Sequence, residues 1–164
     1  MSSREPHPGI DIELADPAAT EALAQALAHT RPDPAVIHLR GDLGAGKSTL
    51  ARAMLRVLGV TGTVRSPTYT LVERYPLAGQ REAVHLDLYR IAAADELQFL
   101  GLDDLTEHAG LWLIEWPEHG IDAIPPPDLT LTLSHAGDGR SARLEPAGST
   151  GRAWLDRVVR HVHG

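Results

Sequence analysis

Residues 41–48 read Gly-Asp-Leu-Gly-Ala-Gly-Lys-Ser, and no other stretch limits the fold of this chain as strongly. The pattern G-x-x-x-x-G-K-[ST] needs a strand before it and a helix after it. Both are present. Val36-Ile37-His38-Leu39 is a short apolar strand. Lys47 to Leu58 has a helical apolar face of Leu50, Met54, Leu55 and Leu58, and Gly59 ends it. In that setting the glycines Gly41, Gly44 and Gly46 let the backbone curl so that successive N–H groups, those of Asp42, Leu43 and Ala45 included, point at phosphate oxygens. The helix N-terminus adds a partial positive charge. Lys47 supplies a full charge for the β- and γ-phosphates, and the Ser48 hydroxyl is the expected Mg²⁺ ligand. Ordinary residue usage would produce the pattern by chance in fewer than about one chain in a hundred of this length. The chain is therefore expected to bind a nucleoside triphosphate.

Composition narrows the base. Lys47 is the only lysine among 15 basic residues, and there is no asparagine. A genome-wide bias toward Arg and against Lys and Asn is the expected cause, and it leaves the one lysine to be explained by chemistry. Guanine-specific P-loop GTPases typically read the base with Asn-Lys-x-Asp, which this chain cannot supply, so adenine is the default. The formal net charge of −7 argues against a broad nucleic-acid surface, though not against a small basic patch or a basic partner. The absence of Cys excludes disulfides and thiolate zinc sites. No apolar run approaches the roughly 20 residues of a membrane helix, and the start lacks a signal-peptide core, so a cytoplasmic location is expected. A length of 164 residues suits one domain, placed at 10–164 after a flexible start at 1–9.

The remaining elements give an α/β domain. Asp16-Pro17 reads as a helix start, with a helix over 17–29. Arg31-Pro32-Asp33-Pro34 breaks it. Thr68 to Tyr75 is strand-like, Val84 to Tyr89 alternates, and Asp95 to Leu105 reads as a short acidic helix and turn. Leu111-Trp112-Leu113-Ile114 is a run suited to a sheet buried on both faces. Leu129, Leu131 and Leu133 alternate as a half-exposed strand after the connector Pro125-Pro126-Pro127. Gly137-Asp138-Gly139 turns back toward Arg143-Leu144-Glu145, and Trp154 to Val162 is an amphipathic helix. The expected architecture is a single P-loop NTPase-like domain. Its central, mostly parallel sheet is flanked by helices and followed by a C-terminal β-hairpin and helix.

A metal-bound triphosphate usually needs a second acid at a neighbouring strand end. Asp87 and Glu115 are the candidates, and Glu115 is better placed because it directly follows the buried run. Ser66-Pro67-Thr68-Tyr69-Thr70 lies where P-loop proteins place a loop that senses the γ-phosphate; it reads equally well as a Ser-Pro turn. Trp116 is read either as a core or interface residue or as a ring that stacks on the base.

Five segments together carry a resemblance. They are Gly41 through Lys47-Ser48-Thr49, Ser66 through Val72, His85-Leu86-Asp87-Leu88-Tyr89-Arg90, Glu96 through Gly101-Leu102, and Ile114-Glu115-Trp116-Pro117-Glu118. In order and spacing they resemble the TsaE (YjeE) family, over roughly residues 10 to 145. The resemblance implies a small ATPase of tRNA N6-threonylcarbamoyladenosine formation. It would act with TsaB and TsaD, reset their complex between turnovers, hydrolyse ATP weakly alone and leave the group transfer to TsaD. Contact with tRNA would be indirect. It further implies that Ser48 and Glu115 hold Mg²⁺, and that Lys47 and the loop through Thr49 hold the phosphates. Thr68 and Asp87 would serve the γ-phosphate and catalytic region, and Trp116 would lie beside adenine. Thr20, Gly139 and Arg140 would lie on the base and ribose side. Whether Asp87 or Glu115 activates water stays open. The chain departs from the family where Lys47-Ser48-Thr49 replaces Lys-Thr-Thr, and its basic helix at 152–163 has no place in the pattern. Two other readings are a small-molecule kinase, for which Arg74, Arg81 and Arg90 could serve over the phosphates although the sequence shows no lid segment, and a nucleotide-gated binding module without turnover.

Overall fold

Leu111 to Ile114 are buried on both sides because a core lies on each face of their sheet, Leu111 and Leu113 in one and Trp112 and Ile114 in the other. The computed structural model describes residues 9–67, 70–91 and 101–163. In chain order the elements are β1 (Ile10–Leu14), α1 (Pro17–Thr30), β2 (Ala35–Arg40), α2 (Lys47–Val57), β3 (Val72–Leu77), β4 (Arg81–Asp87), α3 (Leu102–Thr106), β5 (Ala109–Glu115), β6 (Leu129–Ala136), β7 (Gly139–Pro146) and α4 (Gly148–His163). The sheet order is β1-β7-β6-β2-β5-β4-β3. Strands β6, β2, β5 and β4 run parallel at the centre, and β1, β7 and β3 add antiparallel edges. The mixed α/β architecture expected from the sequence is the one observed.

Local chemistry sets the helices. Asp16 caps α1 through its side chain, which accepts from the Ala19 N–H at 2.9 Å, and Pro17 takes the first helical position. Leu23, Leu27, Leu50, Met54, Leu55 and Trp154 are essentially inaccessible and form one core with the α1/α2/α4 face of the sheet. The indole N–H of Trp154 donates to the Leu27 carbonyl at 3.3 Å, and Arg157 Nε donates to the Thr30 carbonyl at 3.0 Å. The basic C-terminal helix is thus a packing element against α1. The opposite face is smaller: Val84, Leu86, Trp112 and Ile114 pack there against Leu105 and Ile124.

Three sequence expectations change. The strand expected to begin at Thr68 begins at Val72, because Leu71 takes a left-handed φ of 68° that interrupts extension; Thr68 and Tyr69 lie outside the described residues. The short helix is Leu102–Thr106, and 92–100, with Glu96, also lie outside the described residues. The alternation of Val84 to Tyr89 is real, but its polar face is buried. His85 is 2% and Asp87 4% exposed, because this face of β4, with Ala83 on it, packs into the core on the α1/α2/α4 side. Strand β1 had no counterpart in the sequence reading. It is an edge strand of alternating burial, held by β7 through pairings such as Ile12 with Ala142.

Candidate functional site

Parallel register brings the chemistry to one edge of the sheet. Leu39 of β2 pairs with Glu115 of β5, and Glu115 pairs with Asp87 of β4. Three strands therefore end side by side, and ligands of such sheets bind beyond their carboxyl ends. The loop 41–46 leaves β2 at this edge. At Gly41 the φ is 139°, and a Cβ would stand 2.4 Å from the Leu133 carbonyl oxygen of β6, so only glycine fits the departure.

One cavity of about 220 Å³ lies beside the loop. It is lined by Asp42 through Thr49 together with Asp87, Tyr89, Glu115 and Trp116. Lys47 is 5% exposed. Its ammonium donates to the Gly41 carbonyl and, at 3.4 Å, to the Asp42 carbonyl, and lies 4.0 Å from the centre of the Trp116 ring. Burial holds the Lys47 pKa below its usual value of 10.5, partly offset by Glu115, Asp87, Glu118 and Asp42. Trp116 takes a left-handed φ of 56°, an uncommon conformation for a bulky residue, which turns the ring toward Lys47, Tyr89 and His119.

Glu115 is 2% exposed. The Ser48 hydroxyl lies 3.0 Å from each of its carboxylate oxygens, and His85 Nε2 lies 2.6 Å from Oε2. Asp87 Oδ1 accepts from the Tyr89 N–H at 3.0 Å. The Ser48–Glu115 pair offers only oxygen, the donor type Mg²⁺ prefers. Neighbouring oxygens of an octahedron with bonds of about 2.1 Å stand about 3.0 Å apart. The spacing observed between Ser48 and Glu115 fits that requirement.

A second hollow of about 200 Å³ lies on the other side of the loop, lined by Asp16, Thr20, Thr49, Leu133, Gly139 and Arg140 among others. Gly139 is required here by close approach, since a Cβ would meet the Leu14 carbonyl oxygen at 2.6 Å. Arg140 Nη2 reaches the Gly44 carbonyl at 3.5 Å and ties the hairpin to the loop. Ala45, Gly46 and Thr49 line both spaces.

The structure thus gathers Lys47, Ser48, Asp87, Glu115 and Trp116 in one cavity and Thr20, Gly139 and Arg140 in the other. Thr68 lies outside the described residues. Sequence reasoning missed His85, Tyr89 and Asp16. The signal for His85 was its two-residue spacing from Asp87, which places both on one face of a strand. The kinase reading loses two of its three arginines. Arg74 pairs with Glu82 at 2.8 Å, and Arg81 pairs with Asp33 at 2.6 Å, at the end of β4 opposite Asp87.

Residues 14–143 match the family described as "Threonylcarbamoyl adenosine biosynthesis protein TsaE". The tRNA threonylcarbamoyladenosine biosynthesis protein TsaE of Haemophilus influenzae is 45% identical over 109 residues, covering 66% of this chain and 68% of that protein. The Bacillus subtilis protein of the same description is 33% identical over 147 residues, covering 89% and 91%. The crystal structure of YdiB from Bacillus subtilis matches with a TM-score of 0.79 at 28% identity, covering 97% of this chain and 99% of that one.

Proposed function

This chain belongs to the TsaE family, whose described role is threonylcarbamoyl adenosine biosynthesis, and on that premise we propose that it is an ATPase that holds ATP and Mg²⁺ between the loop 41–49 and the strand ends at Asp87 and Glu115. Its hydrolysis resets a complex of TsaB and TsaD between turnovers of tRNA modification, in the cytoplasm. TsaD performs the group transfer, and tRNA meets this chain only through the complex. The observation that carries the reading is the convergence of Lys47, Ser48, Asp87 and Glu115 on one cavity beside the glycine loop.

Each residue has a task that its geometry suits. The loop N–H groups and Lys47 bind the phosphates. Lys47 turns from the Gly41 carbonyl and the Trp116 ring toward the γ-phosphate, exchanging a cation–π contact of about 0.5–2 kcal/mol for charge-assisted bonds. Ser48 and Glu115 hold Mg²⁺, which when bound neutralises charge developing on the phosphate oxygens. Asp87, at the adjacent strand end, orients the attacking water together with Thr68. The base and ribose lie across the loop, against Thr20, Gly139 and Arg140. Trp116 therefore moves from the adenine to the phosphate end in this reading, because its ring shares a cavity with Lys47 and Glu115 and not with Thr20.

The test is reconstitution with TsaB, TsaD, tRNA and a supplier of the threonylcarbamoyl group. Multiple-turnover modification should require this chain and ATP, and single-turnover transfer should not. Equal multiple turnover without the chain would refute the reading.

A further inference from the structure

Glu115 is a buried carboxylate, and as the metal-holding residue of the proposed function it must present an oxygen to a cation at a fixed angle. The terminal torsion of a glutamate is broad, so the carboxylate needs a partner that stops its rotation. The Ser48 hydroxyl does not supply one, since it stands equally far, 3.0 Å, from both oxygens. His85 does distinguish them, with Nε2 at 2.6 Å from Oε2.

We propose that His85 is the positioning residue for Glu115: it clamps Oε2 and so fixes the rotation of the carboxylate, leaving Oε1 free of the imidazole for the metal. The proposal rests on the reading of Glu115 as a metal-holding carboxylate. Three further observations support it. Register places Asp87 beside Glu115 and His85 beside Leu113, so His85 sits one pleat deeper on the same face, behind the carboxylate. Both side chains are excluded from water, at 2% and 3% exposure, so the hydrogen bond meets no solvent competition. His85 Nδ1 is buried, and among the described residues it has no hydrogen-bond partner. A buried N–H without an acceptor costs more than a bare ring nitrogen, so the proton is assigned to Nε2, where it is donated to Glu115. A histidine kept for packing alone is better served by a backbone acceptor, as His38 is by the Pro125 carbonyl at 2.9 Å.

The experiment compares the affinity of a non-hydrolysable ATP analogue with excess Mg²⁺ and with EDTA, by calorimetry, in the full chain. His85→Phe should leave the affinity in EDTA unchanged and reduce the gain conferred by Mg²⁺ by about 10- to 100-fold. His85→Gln should recover most of that gain, because its amide N–H reaches the place of Nε2. Unfolding midpoints of both variants verify the fold. A wild-type Mg²⁺ gain in His85→Phe would overturn the proposal. So would equal losses with and without Mg²⁺ that Gln does not restore, the pattern of a purely structural residue. Ser48→Ala and Glu115→Ala, measured alongside, separate the two levels. If neither changes the Mg²⁺ gain, the metal reading itself fails, whatever His85 does.

Discussion

The two hollows flanking the glycine loop are nearly equal in size and differ in construction. The one beside Lys47 is walled by the ends of β4 and β5, central parallel strands whose register fixes Asp87 and Glu115 side by side. Lys47, Asp87 and Glu115 are buried there, and Glu115 is tied to Ser48 and His85. The one beside Thr20 is walled by the start of α1 and the turn of the β6–β7 hairpin, and its Thr20 and Arg140 are half-buried. Chemistry that depends on distances of a few tenths of an ångström belongs on the first, since rigid elements hold a constellation better than loops do. Recognition of a base tolerates the second. In the proposed function the phosphates and metal accordingly occupy the central hollow and the base the peripheral one.

The largest expected effect is on the central side. Lys47→Ala removes the ammonium from the phosphate cradle. At about 1.5–3 kcal/mol per charged hydrogen bond, two such bonds put the loss of ATP affinity near 100-fold or more. Calorimetry checks it, and an unchanged affinity would break the comparison at its strongest point. Next, Glu115→Gln should bind ATP in EDTA like the unaltered chain and lose turnover by a factor on the order of 10² to 10³, read as phosphate release in the presence of TsaB and TsaD.

A smaller effect belongs to the peripheral side. Arg140→Ala removes a side chain from the hollow proposed for the base, with an expected loss in ATP affinity of about 3- to 10-fold. Affinity for inorganic tripolyphosphate should not change. Equal loss for both ligands would place Arg140 on the phosphates and dissolve the distinction between the hollows.

The same contrast explains what was legible in the sequence. The central hollow rests on two local signals, the G-x-x-x-x-G-K-S loop and an acid directly after a buried apolar run, and both survive in a single chain read end to end. The peripheral hollow depends on β1 meeting β7 across the whole length of the chain, with Leu14 opposite Arg140. No local pattern announces that pairing, and Thr20, Gly139 and Arg140 were reached only through family resemblance. His85 was overlooked for a different reason. Its alternation with Leu86 does not say what its side of the strand faces, and only the register with β5 sets that side against Glu115.

The smallest expected effect lies away from both hollows. His38 is 2% exposed on the opposite face of β2, and burial lowers its pKa from 6.5 despite the bond to Pro125. The unfolded chain therefore takes up this proton first, and the contribution to stability is complete above pH 6.5 and lost as pH falls through the lowered folded value. His38→Gln should flatten the acid side of the stability profile, measured by denaturant unfolding between pH 7.5 and 5. Nucleotide affinity at pH 7.5 should not move. An unaltered acid slope would mean that other groups carry it.

The division of labour between the hollows is tested most directly by a crystal structure of the chain with Mg²⁺ and a non-hydrolysable ATP analogue. The γ-phosphate is expected against Lys47, with Ser48 and Glu115 on the metal, and the adenine between Thr20 and Arg140. An adenine stacked on Trp116, with the phosphates directed away from Glu115, would contradict that division.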